Sequence, residues 1–172
     1  MLDTRQLHGV LDRLNTTGCI VTTAFGGRCD GCFISFVTQC SIDPPRLLAL
    51  TSHENLTHEL IEQSHVLALH PVGRGQEDWM ELFGERSGRD VDKFARVAWT
   101  PGVTGAPLLS DALGYVEGRV LRSMDCGDHT ARLVEPLAAA LRDPDAVPLT
   151  VFDLFARGLL APSAKLGSPW SH

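Results

Sequence analysis

No stretch of this 172-residue chain comes near the roughly 20 consecutive apolar residues that a membrane-spanning helix requires. The N-terminus, Met1-Leu2-Asp3-Thr4-Arg5, holds no apolar signal core. Together these absences predict a cytoplasmic protein with no membrane partner. Basic charge is also scarce: 15 Lys and Arg stand against 21 Asp and Glu, for a net charge of -6 and a sequence pI near 5.6. That balance argues against a nucleic-acid partner, whose phosphates demand a broad basic face. It leaves room for a phosphorylated small ligand, which needs only a few local donors. Cysteine is odd in number, five, and follows no secreted disulfide pattern, so reduced thiols are expected. There is no internal repeat and no low-complexity linker. The length and a 44% hydrophobic content fit one domain, residues 1–172, with a sizeable core.

Several short motifs fall short of the chemistry they resemble. Cys29-Asp30-Gly31-Cys32 is a CxxC, but a redox dithiol wants that motif opening a helix after a strand. Here it falls in a Gly-rich hairpin turn. Cys19, Cys40 and Cys126 supply no second pair for a structural zinc, so two turn cysteines is the plain reading. His53 and His58 lie five apart rather than four and do not share a helix face, and the seven histidines are scattered, so no metal site is expected. Gly73-Arg74-Gly75 lacks the third glycine and the strand–turn–helix context of a dinucleotide fingerprint. Any nicotinamide donor would therefore bind without a Rossmann domain. Trp79, Trp99 and Trp170 read as packing or interface residues. Ser87-Gly88-Arg89-Asp90 reads as a polar loop, and the charged residues of 76–96 as a solvated face.

What is present is a run of short elements. Leu2, Leu7, Val10, Leu11 and Leu14 predict an amphipathic helix over about 3–14, capped by Asp3 and stopped by Gly18. Residues 19–25 are rich in β-branched side chains and read as a strand. Residues 26–31 form a turn cluster. Residues 32–41 read as one second strand, with Phe33, Ser35, Val37 and Gln39 on one face, completing a hairpin. Asp43-Pro44-Pro45 ends that ladder. A strand follows over 46–52, then a helix from Asn55 to about Ser64 with Leu56, Leu60 and Ile61 as its buried stripe. Residues 66–70 read as a strand, 76–86 as an amphipathic helix, and a short second helix carries Val91, Phe94 and Ala95. Residues 101–107 read as a loop, 112–124 and 130–136 as strands, and 163–172 as a loose tail. Strands with short interposed helices predict a mainly β fold, an antiparallel and nearly closed barrel.

The most informative stretch runs from Asp30-Gly31-Cys32-Phe33-Ile34-Ser35 to Asp43-Pro44-Pro45. Downstream lie Ser52, Asn55-Leu56-Thr57, then Gly105-Ala106-Pro107-Leu108-Leu109, Ala112-Leu113-Gly114-Tyr115-Val116-Glu117 and Gly127-Asp128-His129-Thr130. In that order and spacing, over about residues 15–135, the chain resembles the flavin reductase-like, FMN-binding split-barrel family. The resemblance implies a split β-barrel of antiparallel Greek-key type and a homodimer with FMN, or FAD in its place, near the subunit interface. It implies hydride transfer from NADH or NADPH to the flavin, and a monooxygenase or other acceptor of reduced flavin as partner. Carried over residue by residue, Ser35, Phe36, Thr38, Gln39, Cys40 and Ser41 would lie along the flavin ring and ribityl chain. Ser52, Asn55 and Thr57 would lie near the phosphate. Gly127, Asp128 and His129 would frame the ring or the hydride donor. The tail departs from the pattern: Pro148-Leu149-Thr150-Val151-Phe152-Asp153-Leu154 stands where many members carry a Tyr- or Arg-bearing strand. This bears on pyridine-nucleotide use rather than on flavin binding.

The residue types suit that chemistry. A flavin ring wants a flat apolar wall and polar groups at its pyrimidine edge, and the protein tunes it through those hydrogen bonds. A phosphate wants converging donors, which Ser52, Asn55, Thr57 and a helix start offer, with Arg46 or Arg89 as added charge. On the residues alone, Asn55 and Thr57 read more simply as helix caps. His129 is assigned a positioning role, since hydride transfer needs no acid or base at the donor carbon. On the residues alone it reads equally as part of a turn in which Asp128 satisfies backbone amides. Two other readings stay open: a non-catalytic flavin carrier or electron-transfer protein, and a split-barrel relative using haem or a deazaflavin.

Overall fold

A computed structural model describes Leu14 and residues 16–159. The helix expected over 3–14, except Leu14, falls outside these residues, as do the tail from 163 and Trp170.

The β-branched run forms β1 (Cys19–Phe25), which pairs antiparallel with β2 (Arg28–Ile34). Only Gly26 and Gly27 make the turn. Their φ values of 60° and 79° are those of the two-residue hairpin turn whose twist matches its strands. The turn cluster expected over 26–31 is therefore shorter than the glycine content suggests, and Cys29 and Cys32 sit on a strand.

The single strand expected over 32–41 is two strands. β2 stops at Ile34, and β3 (Val37–Ser41) begins after Ser35 and Phe36. The sequence pattern, with Phe33, Ser35, Val37 and Gln39 spaced two apart, runs straight through the break and hides it. The remaining strands are β4 (Arg46–Ser52), β5 (Val66–Pro71), the short pair β6 (Trp99–Pro101) and β7 (Pro107–Leu109), and the long hairpin β8 (Gly114–Asp125) and β9 (His129–Leu141). The main sheet has seven strands in the order β2-β1-β5-β8-β9-β4-β3. Its β1–β5 and β4–β9 pairings join strands far apart in sequence, as a Greek-key path does.

β2 and β3 are consecutive in the chain but lie at opposite ends of that order. In a flat sheet six steps of about 4.8 Å would hold them roughly 29 Å apart. A two-residue link reaches only about 10 Å. The sheet must therefore roll. Bulges at Glu117/Gly118 and Val120/Arg122 in the β8–β9 ladder help it to bend. No ladder joins β2 to β3 among the described residues, so the roll stays open along one seam. The Leu50 N–H donates to the Phe36 carbonyl at 3.0 Å, carrying the β3–β4 pairing up to the break.

Helix α1 (Leu56–Ser64) buries Leu56, Thr57, Leu60 and Ile61, the predicted stripe plus one threonine. Asn55 stands at its N-cap without a side-chain capping bond. The helix expected over 76–86 is wound mainly as a π-helical turn, Met80–Glu85, and the second short helix is a single 3-10 turn, Lys93–Ala95. Asp92 caps that turn, accepting from Phe94 N at 3.0 Å and Ala95 N at 3.2 Å. The loop expected over 101–107 is the corner between β6 and β7, held by the buried Glu117 carboxylate, which accepts from the Val103 and Thr104 amides. After Pro148, α2 (Val151–Ala156) opens on a reciprocal capping box between Thr150 and Asp153.

Two larger apolar clusters, and a small one of Ala68, Ala106 and Leu108, hold the fold. One gathers Val21, Ile34, Ala49, Ile61, Leu67 and Val134 within the main sheet and α1. The other packs Ile20 of β1 against Met80, Phe83, Phe94, Leu109 and Leu154 outside the sheet, with Trp79 and Trp99 packed against it, as their packing role predicts.

Candidate functional site

Three features converge at the β4–α1 corner. The first is an open aromatic edge. Phe36, at the β2–β3 break, is 52% exposed, and its ring meets the His129 imidazole edge-on at 5.3 Å. The hairpin carrying His129 is tight. Gly127, at φ 108°, takes a conformation that favours glycine, and its N–H donates to Asp125 Oδ1 at 2.8 Å. Asp128 Oδ1 sits 2.7 Å from His129 Nδ1, and the Asp128 carbonyl accepts from His53 N at 3.0 Å. A carboxylate only accepts, so it fixes the imidazole proton on Nδ1 and leaves Nε2 as the acceptor of the neutral ring. Ser52 pairs with His129 in the β4–β9 ladder, and its hydroxyl accepts from Glu54 N at 3.3 Å.

The second feature is a cavity of about 210 Å³ on the other side of the corner, lined among others by Asp30, Cys32, Asn55, Thr57, Gly88 and Lys93. Lys93 is 3% exposed and Asp30 2%. The ammonium donates to the Gly31 carbonyl at 2.6 Å and stands 3.7 Å from Asp30 Oδ1. Thr57 Oγ1 donates to Asp30 Oδ2 at 2.7 Å. Gly88 lies so close that a Cβ there would fall 2.1 Å from Asp30 Oδ1, which seats the carboxylate against backbone. The Asn55 amide donates to Cys32 Sγ at 3.4 Å.

The third is a buried strut behind both. Arg132, on β9, is fully buried and donates to Glu62 Oε1 at 2.6 Å, to His58 Nδ1 at 3.1 Å and to Thr51 Oγ1. His58 Nδ1 must accept, so its proton is on Nε2. Burial, and then the Arg132 charge, push the His58 pKa down. The His53 ring meets His58 at a tilt with centroids 4.9 Å apart, and its Nε2 lies 3.0 Å from Thr130 Oγ1, tying the strut to the His129 hairpin.

The predicted residues are thus distributed unevenly. Phe36, Ser52, Gly127, Asp128 and His129 come together, and Ser35 joins them through the chain, its carbonyl held by Thr16 Oγ1 at 2.5 Å. Asn55 and Thr57 face the cavity, but they are not the free donors the sequence suggests: Asn55 is turned to a thiol, and the Thr57 hydroxyl is engaged by Asp30. Thr38, Gln39, Cys40 and Ser41 run away along an exposed edge strand. Gln39 pairs with Leu47, five residues before Ser52 on β4, or about 17 Å. Arg46 pairs with Glu135 at 3.3 Å and Arg89 with Glu59 at 2.5 Å, and neither lines the cavity. Asp30, Lys93 and Arg132 were not singled out by sequence reasoning. Lys93 had fallen within a supposed solvated face, and the cap signal at Asp92 was the one clue to its placement. A larger hollow of about 300 Å³, beside Trp79 and Arg86 at the two ends of the π-helical turn and Arg96 after the 3-10 turn, contains none of the predicted residues.

Residues 11–156 match the family model described as flavin reductase like domain. The chain belongs to this family. It is 31% identical over 131 residues to the high molecular weight rubredoxin of Moorella thermoacetica, a match covering 75% of this chain and 56% of that protein. It is 32% identical over 110 residues to the FMN reductase (NADH) RutF of Pseudomonas syringae pv. syringae, covering 64% of this chain and 61% of that protein. The chain therefore spans just over half the length of these relatives. Among solved structures, the NADH:FAD oxidoreductase SgcE6 of Streptomyces globisporus is similar with a TM-score of 0.77 at 27% identity, covering 86% of this chain and 88% of that one. The family's mainly β, antiparallel architecture is the one predicted from the motif run.

The thiols offer a direct check on this layout. Cys40 and Cys126 are exposed, whereas burial pushes Cys19 up to about 12 and Cys32 up to about 11. At pH 8 a colorimetric disulfide reagent should label Cys40 and Cys126 promptly in the native protein, and Cys19 and Cys32 only after unfolding. Prompt labelling of Cys32 would contradict the β2 placement.

Proposed function

We propose that this chain is a flavin reductase of the cytoplasm, using NADH or NADPH to reduce FMN, or FAD in its place, for a partner monooxygenase or another acceptor. The observation that carries this reading is the juxtaposition at one corner of an exposed aromatic–imidazole edge and a cavity holding a buried ammonium. The first suits a flat heteroaromatic ring, and the second offers a phosphate one ammonium, opposed by Asp30. When bound, a flavin supplies the two-electron chemistry. The protein's own residues bind and orient. Phe36 would give the apolar wall, Ser35 a polar contact along it, and Lys93 a donor to the phosphate end. Thr38, Gln39, Cys40 and Ser41 would serve only a ligand that extends along β3. His129, with Nδ1–H on Asp128, presents an Nε2 lone pair suited to a carboxamide N–H of nicotinamide rather than to a flavin carbonyl. It is a positioning group, not an acid or base. His129→Ala should therefore raise KM for the nicotinamide donor about tenfold while changing the flavin Kd less than threefold. Equal loss of both affinities would place His129 on the flavin instead.

A homodimer is part of the proposal. Leu121, Met124, Leu137 and Leu141, between 40% and 74% exposed, project from the β8–β9 hairpin and give a second copy an apolar face. The deciding experiment mixes purified protein with excess FMN and then NADH or NADPH without oxygen. Loss of flavin absorbance over many turnovers supports the reductase. Binding without bleaching turns the reading to a flavin carrier or electron-transfer protein. No flavin binding overturns it.

A further inference from the structure

The cavity at Lys93 is where the flavin reading puts the phosphate, yet the two cations that line it, Lys93 and Arg86, are already opposed. Lys93 faces Asp30 at 3.7 Å, Arg86 pairs with Glu81 at 2.8 Å, and Arg89 pairs with Glu59 at 2.5 Å. The charged lining itself is Asp30, Glu54 and Glu85 against Arg86 and Lys93, a balance of -1. A site that retains a phosphate monoester, which carries nearly two charges, normally gathers uncompensated donors.

Asp30 cannot step aside. Thr57 holds one carboxylate oxygen and the Gly88 backbone is packed against the other. Lys93 uses one N–H on the Gly31 carbonyl, so two remain for a ligand, but any phosphate they meet would stand within a few ångströms of a fixed carboxylate. At such distances that repulsion is of the same order as the attraction to the ammonium.

We propose that Asp30 is a built-in counter-charge that holds the affinity for the flavin phosphate low, so that flavin exchanges as a substrate instead of remaining as a prosthetic group. This rests on the flavin reading above and adds to it that the phosphate end is deliberately weak. The residue is a specificity determinant between phosphorylated and unphosphorylated flavin.

The test compares FMN with riboflavin by fluorescence quenching at fixed ionic strength. In the unaltered protein the two Kd values should lie within about tenfold of each other. Asp30→Asn keeps the side-chain shape and an acceptor for Thr57 while removing the charge. It should tighten FMN at least tenfold and leave riboflavin within about threefold. The unaltered protein's ratio stands as a test by itself if the variant does not fold. FMN bound more than a hundredfold tighter than riboflavin by the unaltered protein would overturn the proposal and leave the flavin reading intact. So would a folded Asp30→Asn protein with an unchanged ratio. Failure of both flavins to bind would overturn the two readings together.

Discussion

Lys93→Met should destabilise the protein by about 3–5 kcal/mol, read as a lower urea midpoint at an unchanged slope. Both partners of the Lys93–Asp30 pair are almost wholly buried. The variant keeps the bulk of the lysine stem but leaves the carboxylate facing an apolar tip, with only the Thr57 hydroxyl to satisfy it. Gly88 closes the direction in which Asp30 would turn to reach water. The Gly31 carbonyl loses its donor as well. Water entering the adjoining cavity of about 210 Å³ would solvate the charge in part, which points to the lower end of that range. Adding Asp30→Asn to Lys93→Met should restore most of the loss, because the orphaned charge is the main cost and not the missing pair. A single-variant loss below about 1 kcal/mol, or no recovery in the double variant, would show that the pair is not electrostatically buried.

This pair also shows where the sequence stops being readable. β1, β4 and α1 were legible because local signals agreed with tertiary need: a β-branched run, an apolar strand after Pro45, and a stripe at Leu56, Leu60 and Ile61. The resemblance placed His129 and Phe36 in one site, and the structure brings their rings together. What could not be read was decided by long-range packing. The break at Ser35–Phe36 follows from the rolling of a seven-stranded sheet, not from any residue at the break. Lys93 looked solvated because a lysine among charged neighbours usually is. Its burial depends on an oxygen ligand, the Gly31 carbonyl, 62 positions earlier in the chain. Arg132 lies in the strand read over 130–136, where no local signal marks the face it occupies. It is buried because α1 crosses that face and brings His58 and Glu62 to meet it.

Lowering the pH from about 6.5 to 4 should remove about 3 kcal/mol of stability through one side chain, His70. His70, on β5, is fully buried and bonded on both ring nitrogens. Its Nδ1 lies 3.2 Å from the Ile20 carbonyl, and its Nε2 accepts from Leu109 N at 3.2 Å. A single neutral tautomer, with the proton on Nδ1, satisfies both contacts. Burial lowers the pKa from 6.5 to about 4; the bond to Ile20 opposes this and the Arg142 charge adds to it. The unfolded chain takes up its proton near 6.5 while the folded protein does not, so between those values the unfolded state binds more protons. Stability from this group is complete above about pH 6.5, falls as the pH drops through the window, and levels off below about 4. His58, also lowered but partly solvated, adds a smaller loss of the same sign. His70→Gln should start less stable at pH 7, since its shorter reach cannot keep both bonds. It should also show a flatter profile of urea midpoint between pH 6.5 and 4. Parallel profiles for the two proteins would mean that His70 is not the titrating group. Below the window the protonated ring directs a second N–H at the Leu109 amide, donor against donor. The β6–β7 hairpin should therefore be the first region to lose amide protection as the protein is acidified.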